Sequence, residues 1–161
     1  MNATTNTATL PTHAEAVAAF DLCLSTFADS GILEESVIRT AYLGISNGIQ
    51  VRDYALGAVG LVLPVSDSIR FLSIFKVAGE SAHIEAVKGA YAYEAGEIEI
   101  ALGYLASAHA LDSKNSLATL LVRVISAGWP AGAFASMREE LHPKVVEGLK
   151  ALESVIVGEE A

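Results

Sequence analysis

Two pairs of residues have the Glu-x-x-His spacing, Glu80 with His83 and Glu139 with His142. Residues three apart share a helix face, and a di-iron bundle takes such a pair from each of two helices, completed by inward glutamates from two others. A metal-binding, di-iron-like helical bundle is therefore the alternative reading of the chain. Against it, Glu80 precedes its expected helix and His142 stands directly before Pro143, so both pairs are expected at surface helix termini. The primary expectation is no metal and no cofactor.

Gly44-Ile45-Ser46-Asn47-Gly48 matches G-x-S-x-G, the turn that lifts a nucleophilic serine between a strand and a helix. Here the five residues close a helical pattern, so Asn47-Gly48 is expected as a left-handed C-cap. Glu94, Glu97 and Glu99 cluster around Gly96, where paired carboxylates could serve as acid and base. A solvated acidic turn explains them more simply, with Glu97 and Glu99 at the positive end of the next helix dipole. His13 and His109 stand alone on different helices. Tyr91, Tyr93 and Tyr104 with Trp129 could line a recognition groove, although core packing is the stronger expectation for most of these rings; Tyr91 and Tyr93, two apart, cannot share one helix face, so one is expected exposed. If a partner is met there, Tyr91, Tyr93, Glu94, Glu97 and Tyr104 are the residues expected to meet it. None of these sets amounts to catalytic machinery, and no enzymatic activity is expected.

The elements that would position these residues are all helical. Thr12-His13-Ala14-Glu15 forms a capping box, after which Val17, Phe20, Leu24 and Phe27 recur on one face until Gly31. Helices are expected over about 33–46 and 51–63, the second apolar around most of its circumference and so central in the core, ending at Pro64. Ser66 or Asp67 is expected to cap a fourth helix closed by Gly79, and Ser81 a fifth that reaches Ala95. The sixth spans 97–110, with Ile98, Ala101, Leu102, Leu105 and Ala108 on its apolar stripe, and the seventh 117–127. Pro130 and Pro143 each sit at the first-turn position favoured by proline and start an eighth and a ninth helix. No segment alternates apolar and polar residues as a half-buried strand would. The expected fold is all-α, about nine short helices packed as antiparallel hairpins: a disordered tail over 1–11, one domain over 12–157 and a frayed acidic tail over 158–161.

Composition narrows the partners. With 161 residues there is room for one sizeable core. Hydrophobic residues make up 52% and charged residues 18%, with mean hydropathy +0.44, which leaves apolar surface for a protein partner or for self-association into a homo-oligomer. The net charge of -9 and ten scattered Lys and Arg residues offer no basic patch, so neither nucleic acid nor an anionic membrane is an expected partner. The single cysteine, Cys23, lies between leucines and is expected as a buried thiol in a reducing compartment. MNATTNTATLPT lacks the charge and apolar core of a signal peptide, and the apolar run from Ala55 to Val65 is too short to span a bilayer; a cytoplasmic protein is expected.

Two resemblances follow from particular residues. Gly89, Gly96, Ala101 and Ala108, with Leu111-Asp112 after them, resemble the small residues and turn glycine of one tetratricopeptide repeat; Ser113 replaces its proline and Glu85 its large aromatic residue. Gly128 and Ala133 repeat the Gly96 and Ala101 spacing. Over about 51–134, Arg52-Asp53, the run Ala90-Tyr91-Ala92-Tyr93-Glu94-Ala95-Gly96-Glu97, Ser116-Leu117-Ala118-Thr119-Leu120-Leu121 and Gly128-Trp129-Pro130 resemble the C-terminal helical half of an uncharacterised domain family of actinobacteria and their phages. That resemblance implies a helical fold and a bacterial or phage origin, and no reaction. The combined expectation is a non-enzymatic interaction or scaffolding domain.

Overall fold

The computed structural model of the chain describes residues 9–159. Within them lie eight α-helices and no strand: α1 (His13–Ala28), α2 (Glu35–Asn47), α3 (Ile49–Val62), α4 (Val65–Ser73), α5 (Ala82–Glu94), α6 (Ile98–Leu111), α7 (Ser116–Ser126) and α8 (Ala131–Glu159), with a 3-10 turn Ile74–Val77 after α4. The all-α expectation holds. Of the expected N-terminal tail, residues 1–8 lie outside the described residues.

Several helix starts follow the local chemistry of the sequence. The Thr12 hydroxyl accepts from the Glu15 N–H and the Glu15 carboxylate accepts from the Thr12 N–H, both at 3.1 Å, so the capping box is complete. Ser81 caps α5 through the Ile84 N–H, and the Asn115 side-chain oxygen caps α7 through the Ala118 N–H at 3.0 Å. Gly96 and Gly128 adopt left-handed φ values of 80° and 74°, the turn conformation a residue with a Cβ resists.

Elsewhere tertiary packing overrides the local signals. Gly48 is extended, with φ -151°, so α2 does not end in a left-handed cap; the chain passes through it directly into α3. Neither Ser66 nor Asp67 caps α4, which begins at Val65 behind Pro64. The expected eighth and ninth helices are one, because α8 runs through Pro143 and Gly158 to Glu159. A proline inside a helix removes one backbone bond and crowds the preceding turn, at about 3 kcal/mol. Contacts on both sides of the proline offset that cost: residues before it pack on α3 and α5, and Val146 and Leu149 after it face α1.

The centre of the fold is α5, not α3. Every residue from Ile84 to Tyr93 is buried, and the helix touches α2, α3, α4, α6, α7 and α8. Its closest neighbour is α6, reached through the Gly96 turn. Gly89 makes that approach possible, since a Cβ there would stand 2.6 Å from a Leu105 methyl. On the far side, Phe20, Phe71 and Phe75 form an aromatic cluster with centroids 5.5 to 6.1 Å apart, which ties α1 to α4 and the 3-10 turn.

Candidate functional site

α3 and α8 run against each other across two glycines. Gly57 and Gly60 are three residues apart and share a face of α3. A Cβ at Gly57 would lie 2.1 Å from His142 Nδ1, and one at Gly60 would lie 2.7 Å from the Arg138 guanidinium. The missing side chains therefore leave the space that His142 and Arg138 of α8 occupy. Arg138 is 6% exposed. Its Nε and Nη2 donate to Glu94 Oε1 at 3.1 and 2.9 Å, its Nη1 donates to the Gly57 carbonyl at 3.5 Å, and its guanidinium lies 5.2 Å from the Tyr91 ring centre. Tyr91 in turn accepts from the Gly60 N–H and donates to the Leu56 carbonyl, the two partners of one rung of α3. One buried polar network thus joins α3, the end of α5 and the middle of α8. Burial pushes the Glu94 carboxyl above its ordinary range, against the pull of the Arg138 guanidinium, and Glu94 Oε2 is left buried without a partner.

Beside this network opens a cleft of about 240 Å³ between α3, the start of α7 and α8. Its walls are mainly apolar: Leu56 of α3, Leu117 and Leu120 of α7, and Phe134, Met137 and Leu141 of α8. Leu120 and Leu141 stand at its mouth, 46% and 44% exposed. Arg52, Asp53 and Ser116 supply polar lining, with Arg138 and His142 on the α8 side. Arg52 is 5% exposed, and it donates from Nε and Nη2 to Asp53 Oδ1 at 3.0 and 2.8 Å and from Nη1 to Ser116 Oγ at 3.1 Å. Behind it, His83 Nδ1 lies 2.9 Å from Asn115 Nδ2. The Asn115 oxygen is already committed to the α7 cap, so its NH2 group faces His83, and His83 Nδ1 must accept. Burial, then the charge of Arg52, lowers the His83 pKa, which favours the same neutral imidazole.

The residues singled out by spacing are distributed differently from expectation. Tyr91 and Tyr93 are both buried, where one was expected exposed; the Tyr93 hydroxyl donates to the Trp129 carbonyl and its ring packs on Phe134. Two adjacent faces of α5 are covered because α5 is enclosed by helices on every side. The Glu94 side chain is buried on Arg138, so it too is withdrawn from a partner surface, while Glu97 is exposed and Tyr104 half-buried with Lys88 Nζ 5.6 Å from its ring centre. Of the Glu-x-x-His pairs, Glu80 and Glu139 are exposed, His83 is engaged with Asn115, and His142 is wedged against Gly57 and the Tyr54 ring. Among the described residues no three His, Cys, Asp or Glu side chains come together as a metal-ligand set. Ser46 lies in the last turn of α2 with its hydroxyl buried and without a partner, and no strand leads into it. Gly44 before it is a close-approach position, where a Cβ would meet that of Ala16 at 2.2 Å.

Arg138 and Lys88 were not reached by motif reading, and Arg52 and Ser116 entered it only within a family resemblance, with no site role. Lys88 is fully buried on α5 and paired with Glu85 at 3.2 Å; burial lowers its pKa and the carboxylate opposes the shift. The signal for the α3–α8 contact was present in the sequence as two glycines three apart inside an otherwise apolar helix. Glycine in a helix interior costs about 1 kcal/mol, so a pair of them on one face points to a neighbour pressed against it.

No protein-family model matches the chain, and neither a curated protein nor a solved structure does. Among the described residues no helix is long and apolar enough to cross a membrane.

Proposed function

We propose that this protein works by binding, without catalysis, and that its working surface is the cleft between α3, α7 and α8. The observation that carries the reading is an open, apolar space whose mouth exposes Leu120 and Leu141. Exposing large aliphatic side chains to water is unfavourable by roughly 25 cal/mol per Å². A guest that covers them recovers that energy. The rigid walls, held by the Arg138–Glu94 and Arg52–Ser116 contacts, leave the space standing when it is vacant, which lowers the ordering cost of binding. The test is a titration of ¹⁵N-labelled protein with a neutral aliphatic probe, 1-octanol. Amide shifts confined to residues that line the cleft, and lost in Leu120→Trp, support the reading; shifts spread over the surface, or none, overturn it.

A second reading, contact with a protein partner or another copy of the chain, is favoured by Ile98 and Leu102. They are one turn apart on α6 and both exposed, close in sequence to the exposed Glu97 and the half-buried Tyr104. Light scattering after size exclusion tests the self-association form. A monomer at high concentration that is unchanged in Leu102→Glu removes it.

A further inference from the structure

The polar lining of the cleft has more hydrogen-bond donors than acceptors. A guanidinium carries five N–H donors, and Arg52 uses three of them, two on Asp53 and one on Ser116. Ser116 Oγ accepts that bond, which leaves its own hydroxyl hydrogen free to donate. Against these three spare donors, Asp53 is the one carboxylate among the residues lining the cleft; its Oδ1 already takes two bonds from Arg52, which leaves its Oδ2 as the carboxylate oxygen still open to accept. Arg138, already paired with Glu94, and His142 line the cleft from α8, and among the apolar lining residues are Leu117, Leu120, Met137 and Leu141.

We propose that the cleft binds an aliphatic monocarboxylate, its carboxylate on Arg52 and Ser116 and its chain along Leu117, Leu120, Met137 and Leu141. The inference rests on the binding reading above and adds the class of guest. Three spare donors, two of them on one guanidinium, match the two oxygens of a carboxylate. A phosphate would bring a second negative charge, and Asp53 stands beside the only guanidinium with which it could pair at that end. Size favours a small molecule over a protein segment: about 240 Å³ is the share of roughly eight water molecules, whereas a stable protein interface buries about 800 Å² on each partner.

The experiment is calorimetric titration of the intact protein with the straight-chain acids from butanoate to decanoate and the 1-alkanols of matching length. Each added methylene is expected to raise affinity roughly fourfold, the equivalent of about 0.8 kcal/mol, until the cleft is full. At each length the acid is expected to bind at least about tenfold tighter than the alcohol, the value of a charge-assisted hydrogen bond. Arg52→Gln is expected to lower the acid more than the alcohol and so to close the gap between them at each chain length. Because Arg52 is buried and its replacement could disturb the fold, the wild-type protein supplies an independent readout: octanoate shifts the Arg52 Nε–H resonance and 1-octanol does not. Equal affinities for acid and alcohol, or an acid preference that survives Arg52→Gln in a folded protein, overturn the carboxylate proposal and leave the cleft reading standing. Failure of both series to bind wild-type protein overturns the cleft reading itself, and the proposal with it.

Discussion

Adding one methyl group at Gly57 tests the α3–α8 contact most directly. In Gly57→Ala the new Cβ would lie 2.1 Å from His142 Nδ1, 2.6 Å from its Cγ and 2.9 Å from its Cβ. Rotating the imidazole relieves the first two contacts. The third is to an atom fixed to the α8 backbone, so α8 itself must retreat by about half an ångström to reach an ordinary separation near 3.4 Å. Alanine in place of glycine contributes about 1 kcal/mol through helix propensity, and overpacking a tight contact costs about 1–3 kcal/mol or more. The retreat also stretches the Arg138 bonds to Glu94, which adds to the cost. The net expectation is a loss of about 1–2 kcal/mol, a fall in Tm of roughly 2–8 °C for a chain of this length. Gly103→Ala is the control: it lies on the exposed side of α6 with no atom within 4 Å of a new Cβ, so only the propensity gain of about 0.5–1 kcal/mol remains. Urea denaturation followed by circular dichroism measures both. If Gly57→Ala gains stability as Gly103→Ala does, α8 does not seat on Gly57 as described. A double-mutant cycle with His142→Gly refines the test, since removing the Cβ together with the imidazole recovers part of the loss.

Three further expectations concern buried polar groups. Glu94→Leu leaves the Arg138 guanidinium buried without its carboxylate and costs about 3–5 kcal/mol, whereas Glu94→Leu with Arg138→Met recovers most of it; equal losses in the two variants, measured by urea unfolding, would refute the pairing. The folded-state pKa values of His83 and His142 both lie below the ordinary 6.5, chiefly through burial, so the unfolded chain takes up these protons first and stability falls as pH drops below about 6.5. His83→Gln, which can still accept from Asn115, is expected to flatten that fall in thermal melts between pH 7 and 5; an unchanged slope would count against the Asn115 contact. Cys23 is buried and its thiol is pushed up to about 11, so a thiol-specific disulfide reagent at pH 8 should react with it only as fast as the chain unfolds. Immediate stoichiometric reaction in native buffer would contradict its placement.

The sequence alone determined the helical class, the turns at Gly96 and Gly128 and the capped starts at Thr12 and Ser81. In each case the governing interaction spans four or five residues, so local chemistry decides it. The tertiary structure alone decided that α8 continues through Pro143, because the cost of a proline in a helix is offset by contacts with α1, α3 and α5 that lie far away in the chain. It also decided that Tyr91, Tyr93 and Glu94, named as candidate partner contacts, all have buried side chains: no periodicity on α5 can reveal that neighbours enclose it on every side. The cleft is of the same kind. Arg52 and Ser116 are 64 residues apart, and Arg138 meets Glu94 across 44, so a site built from them has no local pattern to read.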